Sequence, residues 1–185
     1  FNAEADSLNC AVLAPDVTPD DEEFDLFVKE IAREMTQKAG QKCTAIRRAL
    51  VPAERIDAVA AKLKGRLAKT TVGDPRLENV RMGALASKSQ QSDVAERVAT
   101  LRPGAEVVFG GDAGFAPVGE GVAEGAFFQP TLLLAKDAQN HAAHDVEAFG
   151  PVSTLMAYQD LDDALQLAAR GKGSLAGTLV IKDVA

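Results

Sequence analysis

Several things are scarce in this chain, and each scarcity excludes something. There is no tryptophan and one tyrosine in 185 residues, and aromatics reach only 5%. That leaves too few flat rings for a platform on which single-stranded nucleic acid could stack. Cations are outnumbered, 20 lysines and arginines against 27 acids for a net charge of −7, which argues against any phosphate-backbone partner. Two cysteines build no disulfide framework, and a reducing, cytoplasmic setting is expected. No apolar run nears the roughly 20 residues of a membrane span, so no membrane partner is expected. FNAEADSLNC at the N-terminus lacks the basic region and apolar core of a signal peptide. No initiator methionine opens the chain, and VIKDVA closes it without a turn, so both ends are expected to be cut from something longer.

What is there suits one domain over residues 1–185, large enough for a real core. CAVLA (10–14) reads as a buried strand or a core-facing turn. PDVTPDDEEFDLFVKEIAREMTQKAG predicts a helix, with Thr18 as its cap, Pro19 in its first turn and acids at its positive end. Phe24, Phe27, Val28, Ile31 and Met35 recur at three- and four-residue steps along it, which gives one apolar face. Gly40 is placed to end that helix. AIRRALVP, AEVVFGG, FFQPTLLLA, GPVSTLMAY and SLAGTLVIK read as strands. Helices are predicted from Ala53 to Lys69, from Gln90 to Leu101, and after Asp160 as a cap. Such alternation predicts βαβ units, and so a largely parallel twisted sheet flanked by helices. Six glycines between 110 and 125 mark a loop, without the strand and helix that a dinucleotide fingerprint needs around it.

Chemistry could reside in few places. Cys43, in AGQKCTAIRR, follows a glycine that allows close backbone approach. A substrate carbonyl could then reach the sulfur while the Cys43 amide donates to a developing oxyanion. Lys42, Arg47 and Arg48 put positive charge beside it in the sequence. The competing reading is a small hydrophobe packed beside a strand, which is how free cysteine usually occurs, and how Cys10 reads in its apolar run. Glu4, before the first strand, could reach a site at the sheet edge. Glu147, in HDVEAFGPV just before the Phe149-Gly150-Pro151 turn, could do the same. Either could equally be a solvated surface acid. His141 and His144 have no cysteine or acid at zinc spacing and read as exposed loop residues, so no metal is expected.

Three stretches together resemble the aldehyde dehydrogenases. AGQKCTAIRR resembles that family's cysteine signature, EAFGPV its later Glu-x-Phe-Gly-Pro-Val motif, and GAFFQPTLL the strand between them. They stand in family order across essentially the whole chain. EADSLNCAVLAPDVTPD, EFDLFVKEIAREMTQKAGQKCTAIRR and GSLAGTLV are similar to the branch acting on CoA-linked semialdehydes after ring opening in phenylacetate breakdown. The branch of the benzoyl-CoA epoxidation route shares much of the same pattern. Where the family at large has Glu-Leu-Gly-Gly, this chain has Glu4-Ala5-Asp6-Ser7, as in the CoA-ester branch.

The resemblance implies an aldehyde dehydrogenase catalytic-domain fold and a set of roles. Cys43 would be the nucleophile, with its amide as half of an oxyanion hole. Glu4 would be the general base. Glu147 would hold a ribose hydroxyl of NADP (or NAD), with Phe149 beside the nicotinamide. Arg48 would be structural. The parent is expected to be a cytoplasmic homo-oligomer, multifunctional through a further hydratase-like (hydrolase) domain. Residues 1–185 alone, lacking the dinucleotide-binding domain and the C-terminal arm, are not expected to turn over as a dehydrogenase. Two rivals remain open: a cysteine acyl-transfer enzyme such as an amidase, and a non-catalytic α/β binding or assembly domain.

Overall fold

The structure is a computed structural model that describes residues 7–111 and 115–182. Its centre is a sheet of strands β1 (Cys10–Leu13), β2 (Arg48–Pro52), β3 (Ala105–Phe109), β4 (Thr131–Ala135), β5 (Val152–Tyr158) and β6 (Gly177–Val180). The spatial order is β3-β4-β5-β2-β1-β6. Four of the five pairings are parallel, and only β3 runs antiparallel, against β4. That departure from a run of βαβ units has a simple cause. Residues 110–130 join β3 to β4 without a long crossover helix among the described residues, and a connection that does not cross over returns the next strand antiparallel.

The inner strands read as continuous apolar runs because both of their faces are covered. Ala49, Val51, Leu132 and Leu155 pack on one side of the sheet. Leu50, Leu133 and Met156, their neighbours in sequence, pack on the other. Helices α1 (Glu22–Thr36) and α2 (Ile56–Leu67) cover the first face with Phe24, Phe27, Val28, Ile31, Met35, Val59, Leu63 and Leu67. Helices α3 (Lys88–Leu101) and α4 (Leu161–Ala169) cover the second, mainly through Val94, Val98, Leu101 and Leu167. Ser87 caps α3 by accepting from the Gln90 amide, and Asp160 caps α4 by accepting from Asp163.

Two helix boundaries differ from the sequence expectation. Thr18 does not cap α1. Its amide and hydroxyl both donate to the Asp21 carboxylate at 2.8 Å, closing a turn ahead of the helix, and Asp21 stands at the N-cap. Helix α1 also stops at Thr36, before Gly40, and continues as a short 3₁₀ turn, Gln37–Gly40. Lys38, Ala39 and Gly40 have φ of 52°, 53° and 70°. The chain therefore arrives at the cysteine through three successive left-handed residues, two of which carry the steric cost that a Cβ imposes there. Among the described residues, no helix is long and apolar enough to cross a membrane.

Candidate active site

Parallel neighbours all begin at the same edge of a sheet. Residues 7–9, 43–47, 147–150 and 174–176 immediately precede β1, β2, β5 and β6 respectively. These four strands are adjacent in the sheet, so segments far apart in sequence meet at its amino edge. Cys43 and Glu147 gather there for that reason. Glu4 lies outside the described residues.

Cys43 is exposed, whereas Cys10 is buried in β1. Desolvation pushes the Cys10 thiol above its ordinary range, against a smaller opposing pull from Arg48. The open, glycine-preceded reading of Cys43 and the core reading of Cys10 both match this placement. The Cys43 loop is pinned by Asn9, whose Nδ2 donates to the carbonyls of Cys43 and Ala45 at 2.9 and 3.0 Å. The Asn9 Oδ1 accepts from the Ser7 hydroxyl and from the amides of Leu175 and Ala176. Its backbone carbonyl accepts from the amides of Arg47 and Arg48. One side chain, 1% exposed, thus ties three segments of the edge together.

The cations beside Cys43 in sequence are engaged elsewhere. Lys42 Nζ donates to Glu34 at 2.6 Å and to Gln37 at 3.0 Å. Arg48 is fully buried and donates to the carbonyls of Leu8, Leu167 and Ala168, which fits the structural role expected of it. Arg47 forms an ion pair with Glu147, Nε to Oε1 at 3.0 Å, with both side chains about 95% buried. Burial lowers the Arg47 guanidinium, and the Glu147 charge opposes that shift. The second Glu147 oxygen accepts from the Ser7 amide at 2.9 Å. Glu147 is therefore not a solvated surface acid. Phe149 is 37% exposed, and its ring lies 5.4 Å from the Arg47 guanidinium carbon.

The histidines correct the sequence reading. His141 and His144 are 5% and 1% exposed rather than exposed. His141 Nε2 pairs with the Leu101 carbonyl and its Nδ1 accepts from the Ala143 amide. His144 sits between Arg48 and the Ala138 carbonyl. Polar sequence around them suggested a wet loop, but a 3₁₀ turn at Ala142–His144 packs against α3 and joins the core on that face of the sheet. Among the described residues, no group of three or more His, Cys, Asp or Glu could hold a metal ion.

Sequence reasoning missed Ser7, Asn9 and the pairing of Arg47 with Glu147. Only Asn9 left a trace, as a lone amide at the start of an apolar run. Buried polar groups need partners, but apart from Ser7 those partners lie 34 to 167 positions away.

A largely parallel sheet with an exposed cysteine and a buried carboxylate ion pair at its amino edge defines an α/β domain of a recognisable kind. The chain belongs to the aldehyde dehydrogenase family, whose model matches residues 5–185. It is 53% identical over 186 residues to 3,4-dehydroadipyl-CoA semialdehyde dehydrogenase of Aromatoleum evansii, covering all of this chain and 36% of that protein. Among solved structures it resembles betaine aldehyde dehydrogenase of Staphylococcus aureus in complex with NAD+, at 26% identity and a TM-score of 0.82, covering 96% of this chain and 34% of that one. Mycobacterium tuberculosis aldehyde dehydrogenase complexed with NAD+ is similar at 28% identity and a TM-score of 0.80, covering 96% and 35%. The chain spans about a third of the length of the relatives it matches.

Proposed function

We propose that this chain is the cysteine-bearing part of an enzyme that oxidises a CoA-linked semialdehyde from aromatic ring opening to its carboxylate, with NADP or NAD as acceptor. The observation that carries this reading is the contrast between the two cysteines. Cys43 is exposed on a loop held by buried Asn9, while Cys10 is locked in the core. The 53% identical semialdehyde dehydrogenase supports the substrate class.

The Cys43 sulfur attacks the aldehyde carbon to give a thiohemiacetal, and the Cys43 amide donates to its oxyanion. Loss of hydride from that carbon leaves a thioester on Cys43. Glu4 takes the proton of the water that hydrolyses it, releasing carboxylate and free thiol. The dinucleotide, when bound, supplies the hydride acceptor. The residues fit such a group. An ionised carboxylate has about four acceptor positions, and the bonds above engage Oε1 and Oε2 of Glu147 once each. It keeps capacity for ribose hydroxyls, and the partly exposed Phe149 ring stands on the same guanidinium.

The remainder of the dinucleotide site, and the second oxyanion donor, are assigned to residues outside 1–185. Losing one such donor costs about a hundredfold or more in rate, so residues 1–185 alone should not sustain turnover. The finer assignment, to the phenylacetate branch with a further hydratase-like domain, rests on the sequence resemblance. The second reading, a 3,4-dehydroadipyl-CoA semialdehyde substrate, is favoured by the named relative. The test is steady-state oxidation of 3,4-dehydroadipyl-CoA semialdehyde and of 3-oxo-5,6-dehydrosuberyl-CoA semialdehyde by the full natural polypeptide. The account expects one or both to be oxidised with NADP or NAD, and Cys43→Ala to abolish the reaction. Full activity of Cys43→Ala would overturn it.

A further inference from the structure

The structure assigns to Arg47 a positioning role: it fastens the Cys43 loop and the Glu147 carboxylate into one unit, so that the two sides of the site move together. This rests on the function proposed above. Its guanidinium serves four acceptors from two segments. Nε donates to Glu147 Oε1 at 3.0 Å and Nη1 to the Gly150 carbonyl at 2.8 Å, both on the turn before β5. Nη2 donates to the carbonyls of Gly40 at 2.9 Å and Lys42 at 3.4 Å, on the approach to Cys43. The two segments are also in direct backbone contact. A Cβ at Gly40 would sit 2.1 Å from the Gly150 oxygen. Three carbonyls and a carboxylate converging on one buried side chain require a cation with several donors in a fixed fork, which is what arginine provides.

Lysine would keep the charge but not the fork. It could pair with Glu147 or with the Gly40 side, and not with both at once. Arg47 touches neither the Cys43 sulfur nor any group assigned to substrate, so it acts through the other residues. With the carboxylate no longer fixed, Glu147 would hold the ribose in fewer of its orientations, and the Cys43 loop would loosen at the same time.

The test uses the full natural polypeptide with Arg47→Lys, Glu147→Gln and the double variant. Arg47→Lys should raise the KM for the dinucleotide about tenfold, and should add less than about twofold on top of Glu147→Gln, because the first acts through the second. A merely structural arginine would lower stability yet leave KM unchanged, or combine additively with Glu147→Gln, and either result overturns the assignment. Hydrogen exchange on Glu147→Gln, a change of nearly equal size, keeps the question decidable should Arg47→Lys not fold. The amides of residues 41–45 should then exchange about tenfold faster, and unchanged exchange there overturns the coupling. Exchange requires no turnover, so a polypeptide that oxidises no aldehyde would sink the proposed function while the coupling is still read.

Discussion

The carboxamide nitrogen of Asn9 donates to the carbonyl of Cys43 at 2.9 Å, across 34 positions of sequence. The same carboxamide accepts from the amides of Leu175 and Ala176 at 3.0 and 2.8 Å. Asn9 is thus the fixed point from which the cysteine loop hangs. Asn9→Ala would take the carboxamide bond from the buried Ala45 carbonyl and from the part-buried Cys43 carbonyl and Ala176 amide, and a buried group left unsatisfied costs about 1–3 kcal/mol. With partial relaxation, a loss of about 2–4 kcal/mol is expected, measured by urea denaturation. Asn9→Asp should be similarly poor, because a carboxylate cannot donate to the Cys43 and Ala45 carbonyls. A loss under about 1 kcal/mol for both variants would show that the loop is held by something else.

Gly40 is the backbone counterpart of that fixed point. Its φ of 70° already disfavours a side chain, and a Cβ would meet the Gly150 carbonyl carbon and oxygen at 2.5 and 2.1 Å. Neither obstacle is a flexible side chain that could yield. Gly40→Ala should cost more than the roughly 1–2 kcal/mol of the left-handed conformation alone, and should displace the Cys43 loop. Calorimetry checks the first point and loss of aldehyde oxidation by the full polypeptide the second. Wild-type melting and activity would contradict both.

Acid sensitivity should come from the two buried histidines. Burial lowers His141, with the Leu101 carbonyl opposing. It also lowers His144, where the Ala138 carbonyl and Asp145 oppose and Arg48 and Arg170 reinforce. In the unfolded chain both take up protons as pH falls through about 6.5, while in the fold they stay neutral. Below that pH the unfolded state binds more protons, so stability falls as pH falls. The carboxylates lowered in the fold, such as Asp21 at about 2, act only at lower pH, since their unfolded value is near 3.9. Melting temperature should therefore drop between pH 7.5 and 5.5. The drop should shrink in His141→Gln/His144→Gln, and an equal drop in that variant would contradict the assignment.

How far these features could be read from the sequence depended on how local their causes were. Helix α1 was legible because Phe24, Phe27, Val28, Ile31 and Met35 repeat at the helical period, and Asp160 because a cap acts within three residues. The doubly covered strands were legible from their unbroken apolar runs. Cys43 stood out through its neighbours, and its exposure agrees with that reading. What escaped notice is decided by topology. The Arg47–Glu147 pair joins residues 100 apart, and the histidines are buried because a turn packs against α3, not because of their own polar neighbours. Thr18 looked like a cap because threonine commonly is one, and it lost that place to an acid three residues later.

The most direct measurement is rapid-quench peptide mass spectrometry of the full natural polypeptide mixed with a CoA-linked semialdehyde and NADP or NAD. The account predicts a transient acyl group on Cys43, none on Cys10, and none at all when the dinucleotide is omitted, since the thioester forms only after hydride leaves. Oxidation proceeding at full rate with Cys43 never acylated, or with the acyl group on another residue, would contradict it.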